Sequence, residues 1–342
     1  MSRGPTVTVA GAGALGLSSA LALADAGCAV TVCDPGEAQA SAVAAGMLAP
    51  AFECALEPET APHAELLFAA RNLWPGLERR AGVALDRSGA LAVGDDAWLA
   101  EVSAGLVRLG LHGAELGRTT LDALAPRLSP DLRRGLLVRE DWRLEPRAAL
   151  SALRAACEAA GVAFWQARVT DRGEADVLLL AQGYDRALAG LAPELGVLTP
   201  IRGQILRFMD ERGGGVAVRT AGAYGVPGAD GLAFGATMEP GRADLTPDPE
   251  ALTPLSAALP RLFPHLAEAT FACAVGVRAA TPDGLPLAGP SAMPGVVLAT
   301  GARRNGWLLA PLVAKVVAAC VTGRDPGPYA ARLDPRRFGG GR

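Results

Sequence analysis

Three glycines near the start of the chain, Gly11, Gly13 and Gly16, have the spacing of a turn that can bind phosphate groups. Gly11 permits a tight turn, Gly13 lets the backbone approach a pyrophosphate, and Gly16 lets the following helix pack closely on a strand. Asp34 follows about twenty residues later, where a ribose hydroxyl needs a hydrogen-bond acceptor. The spacing therefore predicts a dinucleotide site at the N-terminus of a helix.

The segments around these glycines have the patterns of the strands and the helix that such a site requires. Residues 6–10 (TVTVA) and 29–33 (AVTVC) alternate as strands, and the alanine- and leucine-rich segment between them predicts a helix that ends by Gly27. A glycine-rich turn without a ligand is the alternative. The complete strand–helix–strand unit with its acid favours the dinucleotide site.

The scarcity of histidine and lysine argues against nicotinamide-dependent alcohol dehydrogenases and pyridoxal enzymes. The chain has three histidines, His63, His112 and His265, and a single lysine, Lys315. A nicotinamide-dependent alcohol dehydrogenase usually moves the hydroxyl proton with His, Lys or Tyr, and a pyridoxal enzyme needs a Schiff-base lysine. The histidines lie in polar or turn-rich segments and Lys315 on a predicted helix, so we expect surface or structural roles and no catalytic acid or base.

Composition favours an ordinary soluble globular protein. The 342 residues are 50% hydrophobic and carry a net charge of −3, with acids and bases mixed along the chain. No basic stripe for nucleic acid and no polybasic patch for a membrane is present. The six cysteines show no CxxC pair or regular spacing, which argues against a metal site and a disulfide framework. We expect a cytoplasmic protein without nucleic-acid or membrane partners, and homo-oligomerisation is left open.

The remaining segments predict an α/β fold with a second, β-rich part. The predicted helices cover 63–80, 147–160, 248–259 and 306–321, and the predicted strands include 162–169, 176–181, 271–280 and 296–300. Short alternating strands between 201 and 237 indicate an antiparallel sheet. We predict a discontinuous, Rossmann-like cofactor-binding domain (1–85, 140–200 and 275–330), an inserted antiparallel-sheet α+β substrate domain (86–139 and 201–274), and a tail (331–342), with poor order after Asp325.

Three further segments are typical of one protein family: SAVAAGMLAP (41–50), AYGVPGADGLAFGATMEPG (223–241), and GVRAATPDGLPLAGP with ATGARRNGWLLAP (276–311). Together with the glycine motif they resemble the D-amino acid oxidase superfamily of FAD-dependent oxidoreductases. Within it the resemblance is closest to the glycine oxidases of thiamine biosynthesis. The resemblance covers nearly the full length and implies noncovalent FAD. Because the chain has one GxGxxG motif, no separate NADPH domain is implied.

The resemblance also implies two sets of site residues. The residues expected to contact FAD, from the phosphates to the flavin ring, are Gly11, Gly13, Ala14, Leu15, Gly16, Asp34, Pro35, Ala40, Ser41, Ala45, Gly46, Met47, Val169, Gly183, Ala302, Arg303, Arg304, Asn305, Gly306, Trp307 and Leu308. The residues expected to bind substrate are Arg278, Arg304 and Tyr224. Surface ion pairs for the two arginines, and a packing role for Tyr224, are the alternatives.

The chemistry implied is oxidation of glycine to an imine, which serves thiazole formation or yields glyoxylate and ammonia, with molecular oxygen accepting the electrons. A guanidinium such as Arg278 can hold a carboxylate by two parallel hydrogen bonds and orient the Cα–H bond. Hydride transfer from a neutral amine needs no protein base at Cα, which suits the scarcity of His and Lys. Oxidation of a D-amino acid or sarcosine, or flavin binding without turnover, are the alternatives.

Overall fold

The computed structural model describes residues 4–37, 39–211 and 214–339. The helices in these ranges are α1 Ala14–Asp25, α2 Ala40–Val43, α3 Pro50–Leu56, α4 Ala64–Ala81, α5 Asp96–Arg108, α6 Arg118–Leu124, α7 Pro146–Ala159, α8 Thr253–Leu262, α9 Gly306–Thr322 and α10 Ala330–Leu333. Short 3-10 helices lie at Ala61–His63, Pro193–Val197, Pro264–Leu266 and Pro335–Phe338.

The strands in the same ranges form three sheets. They are β1 Thr6–Ala10, β2 Ala29–Cys33, β3 Met47–Leu48, β4 Leu85–Asp86, β5 Ala90–Val93, β6 Ala114–Gly117, β7 Arg134–Val138, β8 Trp142–Leu144, β9 Ala163–Trp165, β10 Val177–Leu180, β11 Thr199–Phe208, β12 Ala217–Thr220, β13 Ala223–Gly228, β14 Gly231–Gly235, β15 Glu239–Pro240, β16 Ala272–Ala280, β17 Leu287–Pro290 and β18 Val296–Thr300. The smallest sheet has the order β3-β8-β4.

The first sheet of the described residues has six strands in the order β17-β18-β10-β1-β2-β9. Its neighbours are parallel except for β17, which runs antiparallel to β18. Val9 and Val32 are fully buried, as expected for strands of a parallel sheet covered by helices. Strand order reverses direction between β1 and β10, and in such sheets ligands bind beyond the carboxyl ends of the strands at that point.

Helix α9 packs against α1 and α4 and contacts the first sheet. It is buried along nearly its whole length, and Lys315 is its exposed cation, as the sequence predicts. Pro311 lies inside this helix. Within the described ranges no helix combines the length and the apolar character needed to cross a membrane.

The larger sheet of the described residues has nine strands. Eight follow the order β15-β11-β14-β13-β12-β5-β7-β6, and β16 pairs with β11 along residues 199–207. All pairs are antiparallel except β12 with β5. The predicted fold class, an α/β Rossmann-like part with an antiparallel-sheet α+β part, is therefore confirmed.

The two large sheets follow the predicted segments closely. The strands of the first sheet all come from 1–85, 140–200 and 275–330. Strand β16, Ala272–Ala280, crosses the expected boundary at 275 and pairs with β11 of the larger sheet, and its last residue, Ala280, also forms an isolated bridge with Ala302. The division of the chain into two domains stays a prediction.

Two predicted elements differ by several residues from their bounds in the structure. The strand expected over 162–169 is limited to Ala163–Trp165, because the chain turns back at Ala167, whose N–H donates to the Trp165 carbonyl oxygen at 3.0 Å. The helix expected over 248–259 is Thr253–Leu262. Its start is delayed because the Asp248 side chain accepts backbone N–H groups of the preceding turn and pairs with Arg202 and Arg242.

The expectation of poor order after Asp325 is wrong for the residues up to 339. They form α10 and the 3-10 helix Pro335–Phe338. Leu333 is fully buried, and the Arg337 guanidinium pairs with the Asp283 carboxylate at 2.8 Å, so an apolar anchor and an ion pair attach this segment. Residues 340–342 of the predicted tail lie outside the described residues.

Candidate active site

A cavity of about 600 Å³ opens beyond the carboxyl ends of β1 and β10 and reaches the larger sheet. This volume lies within the range of about 300–1,000 Å³ that is typical of ligand and cofactor sites. All of the residues predicted to contact FAD or substrate line it, except Gly16 and Leu308. The two departures have a physical reason. Gly16 and Leu308 are both buried in the packing of α1 and α9.

The glycine turn between β1 and α1 forms one end of the cavity. Gly11 has a φ of 104°, and a Cβ atom there would lie 2.6 Å from the Ala181 carbonyl oxygen. At Gly16 a Cβ would lie 2.0 Å from the Gly11 carbonyl oxygen, so Gly16 serves close packing. Gly13 is the N-cap of α1 without a side-chain cap, and it faces the cavity. This end therefore has the form of an anion site at a helix N-terminus.

Two polar side chains lie beside this turn. The Asp34 carboxylate accepts the Ala12 N–H at 2.7 Å and the Gly36 N–H at 2.8 Å. The Ser41 hydroxyl accepts the Ala14 N–H at 3.0 Å. Asp34 lines the cavity, and an ionised carboxylate has further lone pairs to offer. Its contact with a ribose stays a prediction.

The segment from Ala40 to Met47 runs along the cavity wall. Arg207 of β11 donates to the Val43 and Ala44 carbonyl oxygens at 2.7 and 3.0 Å. Gly46 has a φ of 79°, and a Cβ there would lie 2.0 Å from the Leu144 carbonyl oxygen. These contacts fix the backbone of small residues close to the cavity, which fits an extended cofactor.

Another part of the cavity wall is the turn from Gly301 to Trp307, which leads into α9. Asn305 is the N-cap of this helix without a side-chain cap, and its first turn contains no acid. The indole N–H of Trp307 donates to the Ser41 carbonyl oxygen at 3.0 Å and joins the two walls. The N-terminus of a long helix faces the cavity here, so negative charge nearby is stabilised.

Arg278 of β16 lines the cavity without an acidic partner in the described residues. Its Nη1 lies 3.3 Å from both the Thr237 carbonyl oxygen and the Met238 sulfur. Burial lowers the pKa of this guanidinium from its ordinary value. That ordinary value is so high that the group keeps its charge in the physiological range. Gly203 on the adjoining strand makes room for it, because a Cβ there would lie 2.3 Å from Nη1.

Tyr224 of β13 also lines the cavity. Among the described residues its hydroxyl has no hydrogen-bond partner within the ordinary limits. Burial raises its pKa, and the nearby Arg278 and Arg304 guanidinium groups oppose that shift. A neutral phenol that faces two cations can still donate or accept a hydrogen bond from a ligand.

Arg304, also predicted to bind substrate, is placed differently from Arg278. Its Nη1 lies 2.5 Å from a Glu57 oxygen and its Nη2 lies 3.4 Å from Glu53 Oε1. The carboxylate of Glu53 raises the pKa of Arg304, with Glu57 adding to the effect. The side chain therefore reaches the cavity with its charge already compensated. Direct binding of substrate by Arg304 stays a prediction.

Glu53 joins α3 to the larger sheet. It is 4% exposed, and its Oε1 also accepts a hydrogen bond from Arg219 Nη2 of β12 at 2.9 Å. Burial alone raises the pKa of Glu53, but Arg304 and Arg219 together hold it below its usual range. A buried carboxylate between two guanidinium groups stays ionised, and breaking such a cluster leaves an uncompensated charge.

Helix α3, which carries Glu53, begins on the buried side chain of Asp141. The two Asp141 oxygens accept the Ala51 and Phe52 N–H groups at 2.7 and 3.0 Å. Burial raises the pKa of Asp141 to about 7, against the opposing effects of Arg219 and the two N–H donors. The cap of this helix therefore titrates near neutral pH.

This shift predicts a pH dependence of stability. Because the folded-state pKa lies above the unfolded value of about 4, the folded protein holds a proton that the unfolded chain releases. The contribution of Asp141 to the free energy of unfolding therefore falls as pH rises from about 4 to about 7. We expect Asp141→Asn to reduce the loss of stability between about pH 5 and about pH 8, measured by denaturant unfolding of the FAD-containing protein.

Asp131→Asn, which changes an exposed carboxylate, is the matched control and should keep the wild-type pH dependence. Asparagine offers one acceptor oxygen instead of two, so the variant is expected to be less stable at the acidic end. The slope with pH, and not the absolute stability, is therefore the readout. An Asp141→Asn slope equal to that of the wild type would contradict the assignment.

Several residues of this site are not predicted from the sequence. Glu53 is a lone acid in an apolar helix segment, PAFECAL, and this contrast is a sign that a buried charge needs a partner. Gly203 lies in a strand, where an isolated glycine often marks close approach of another group. Glu57 and Arg219 look like ordinary surface charges in the sequence.

The residues that line the cavity fit FAD as a ligand. It combines an anion site at the glycine turn, small residues along the 40–47 segment, and a second helix N-terminus at the far end. Side chains are excluded at Gly11 and Gly46, where the backbone itself forms the wall. Of the described lining residues none is lysine or histidine.

A parallel sheet whose strand order reverses at a glycine turn, with a cavity at that point, is typical of dinucleotide-binding proteins. The chain belongs to the DAO family of FAD-dependent oxidoreductases, whose family model matches residues 6–320. The predictions of the family, of FAD as cofactor and of an oxidoreductase as enzyme class are thereby confirmed.

Known proteins of several activities are similar to the chain. It is 30% identical over 373 residues to a glycine oxidase from Pseudomonas aeruginosa, covering 95% of this chain and 98% of that protein. It is 30% identical over 362 residues to a tRNA 5-methylaminomethyl-2-thiouridine biosynthesis bifunctional protein from Caulobacter sp. (strain K31), covering 97% of this chain and 57% of that protein. The crystal structure of iminodiacetate oxidase from Chelativorans sp. BNC1 matches with a TM-score of 0.82 at 23% identity, over 96% of this chain and 98% of that chain.

Proposed function

We propose that the protein oxidises the amino group of a small amino acid, and that glycine is its substrate. The similarity to a glycine oxidase over nearly the full length of both chains supports this choice. The product is the imine, which hydrolyses to glyoxylate and ammonia or enters thiazole formation for thiamine. Molecular oxygen is the electron acceptor and is reduced to hydrogen peroxide.

The observation that carries the proposal is the open guanidinium of Arg278. It lines the cavity, has Thr237 and Met238 as its hydrogen-bond partners among the described residues, and has no ion-pair partner there. A desolvated guanidinium with free N–H groups is the natural partner of one carboxylate, held by two parallel hydrogen bonds. Tyr224 lies on the same wall and can donate to the same carboxylate.

The residues of the chain then have binding and orienting tasks. Bound FAD supplies the acceptor for the hydride that leaves Cα. Arg278 fixes the carboxylate, so the Cα–H bond has a defined direction, and orientation of this kind accounts for a large share of catalysis. The C–H bond breaks with its electron pair, the lone pair of the neutral amine forms the C=N bond, and the resulting iminium releases one N–H proton to solvent to give the imine. Water then hydrolyses the imine.

We infer that solvent, and not a protein side chain, accepts the proton of the substrate amine. Of the lining residues that the structure describes, none is lysine or histidine, and Glu53 is held as a carboxylate by two guanidinium groups. The substrate amine therefore loses its proton before the oxidation step, to solvent at the cavity mouth. The absence of a catalytic acid or base stays a prediction, and it implies faster oxidation at alkaline pH.

A panel of small amines tests the proposal. Purified protein is supplied with glycine, sarcosine, D-alanine, D-proline and iminodiacetate under air, and kcat/KM is measured from hydrogen peroxide and carbonyl product. We expect glycine to have the highest kcat/KM. A preference for a D-amino acid or sarcosine would replace glycine with that substrate within the same chemistry. Absence of peroxide with every amine would contradict an oxidase.

A further inference from the structure

The two substrate-site arginines differ in how their charge is compensated. Arg278 has no carboxylate within 4.0 Å among the described residues, whereas Arg304 is paired with Glu57 and Glu53. Both guanidinium groups line the same cavity, and Arg304 is close enough to contribute to lowering the pKa of Arg278. Among the described residues that line the cavity, Arg278 is therefore the open cation for an incoming anion.

The pairing of Arg304 follows from the spacing of the acids. Glu53 and Glu57 are separated by four residues at the end of α3, so they lie on one face of the chain and meet the same guanidinium. Glu57 makes the shorter contact, at 2.5 Å, and is not part of the cavity wall. Glu53 is shared with Arg219, so Glu57 is the partner that belongs to Arg304 alone.

The neighbouring Arg303 is also paired with an acid of this segment. Its Nη2 lies 2.8 Å from a Glu59 oxygen, and the side chain of Glu59 is 61% exposed. Three acids of one short segment, Glu53, Glu57 and Glu59, thus face the two arginines of the turn before α9. We name them the acidic arm. The two arginines are similarly exposed, at 19% and 21%, but Glu59 is 61% exposed and Glu57 is 31% exposed, so solvent weakens the Glu59 pair more than the Glu57 pair.

We propose that Glu57 is a positioning residue that sets substrate specificity, by holding Arg304 and restricting the site to amines with a single carboxylate. This inference rests on the proposed function and names the substrate class more closely. The single carboxylate of such a substrate binds Arg278. A second carboxylate meets a guanidinium that is already neutralised, next to the negative charge of the acidic arm, and so gains no compensating attraction for its lost hydration.

Glu57→Gln tests this on the FAD-containing protein. The probes are acetate and malonate, which carry one and two carboxylates and cannot be oxidised, with dissociation constants measured from the change in the visible flavin spectrum. We expect the wild type to bind acetate more tightly than malonate. In Glu57→Gln we expect the affinity ratio of malonate to acetate to rise about tenfold, because release of one ion-pair partner frees N–H groups of Arg304.

Two matched variants isolate the cause. Glu57→Asp keeps the carboxylate and should keep the wild-type ratio, which separates loss of charge from disturbance of the fold. Glu59→Gln removes the same charge from the exposed pair with Arg303 and should change the ratio by less than about twofold. The kcat/KM ratio of iminodiacetate to glycine should move in the same direction as the binding ratio in Glu57→Gln.

An unchanged malonate-to-acetate ratio in Glu57→Gln, with acetate still bound, would overturn the inference and leave the proposed function intact. An equal rise in Glu59→Gln would also overturn it, because the effect would then be general electrostatics. If acetate perturbs the flavin in no variant and glycine reduces none of them, the proposed function itself is wrong.

Discussion

Replacing Arg278 with alanine should lower kcat/KM for glycine by roughly thirty- to several-thousand-fold while FAD stays bound. Loss of a desolvated, charge-assisted pair with a carboxylate costs on the order of 2 to 5 kcal/mol. The structure strengthens this expectation, because Arg278 has no acidic partner among the described residues that its removal would strand. Steady-state kcat/KM and the flavin content of the purified variant are the measurements.

Two further variants serve as controls for Arg278→Ala. Arg278→Lys should recover part of the activity, because an ammonium supplies charge but not the planar fork. Arg133→Ala removes an equal charge from an exposed position and should behave as the wild type. If Arg278→Ala keeps wild-type kcat/KM at low glycine, the carboxylate is held elsewhere. The compensated Arg304 would then be the residue to test.

Replacing Gly13 with valine should weaken FAD binding by about 10- to 100-fold or more. Gly13 caps α1 at the cavity, and a Cβ there would already lie 3.2 Å from the Ser41 hydroxyl oxygen. The larger valine side chain would occupy the space where a pyrophosphate meets the backbone N–H groups, whose charge-assisted hydrogen bonds contribute about 1.5–3 kcal/mol. Flavin content after purification and titration of the apoprotein with FAD measure the effect.

Gly76→Val is the matched control, because Gly76 is exposed in α4 and no neighbouring atom lies within 4 Å of a Cβ placed there. It should bind FAD normally and keep or slightly raise the stability of the helix, because valine has a higher helix propensity than glycine. Gly13→Val with wild-type FAD content would contradict a cofactor site at the glycine turn. Loss of FAD in both variants would point to a fold defect instead.

The cofactor end of the molecule could be predicted from the sequence because its signals are local. The alternation of 6–10 and 29–33, and the spacing of the three glycines between them, can be interpreted without knowledge of distant residues. The cap of α5 is also a local signal, because the Asp95 side chain accepts the N–H of Trp98, three residues later.

The substrate end depends on contacts between distant segments, and the sequence alone could not supply them. Arg278 and Arg304 resemble each other in the sequence, and the pairing of Arg304 with Glu57 and Glu53 separates them in the structure. The cap of α3 by Asp141 joins residues about ninety positions apart. Family resemblance placed the two arginines and Tyr224 on one cavity, but not the charges that compensate them.

Anaerobic mixing of the purified, FAD-containing protein with glycine tests most directly whether this cavity oxidises a small amino acid. We predict that the visible absorbance of the flavin bleaches in a single phase whose rate saturates with glycine concentration. Admission of air should restore the oxidised spectrum and produce hydrogen peroxide. A flavin that chemical reductant bleaches, but that glycine, sarcosine and D-amino acids leave oxidised, would contradict the proposed function.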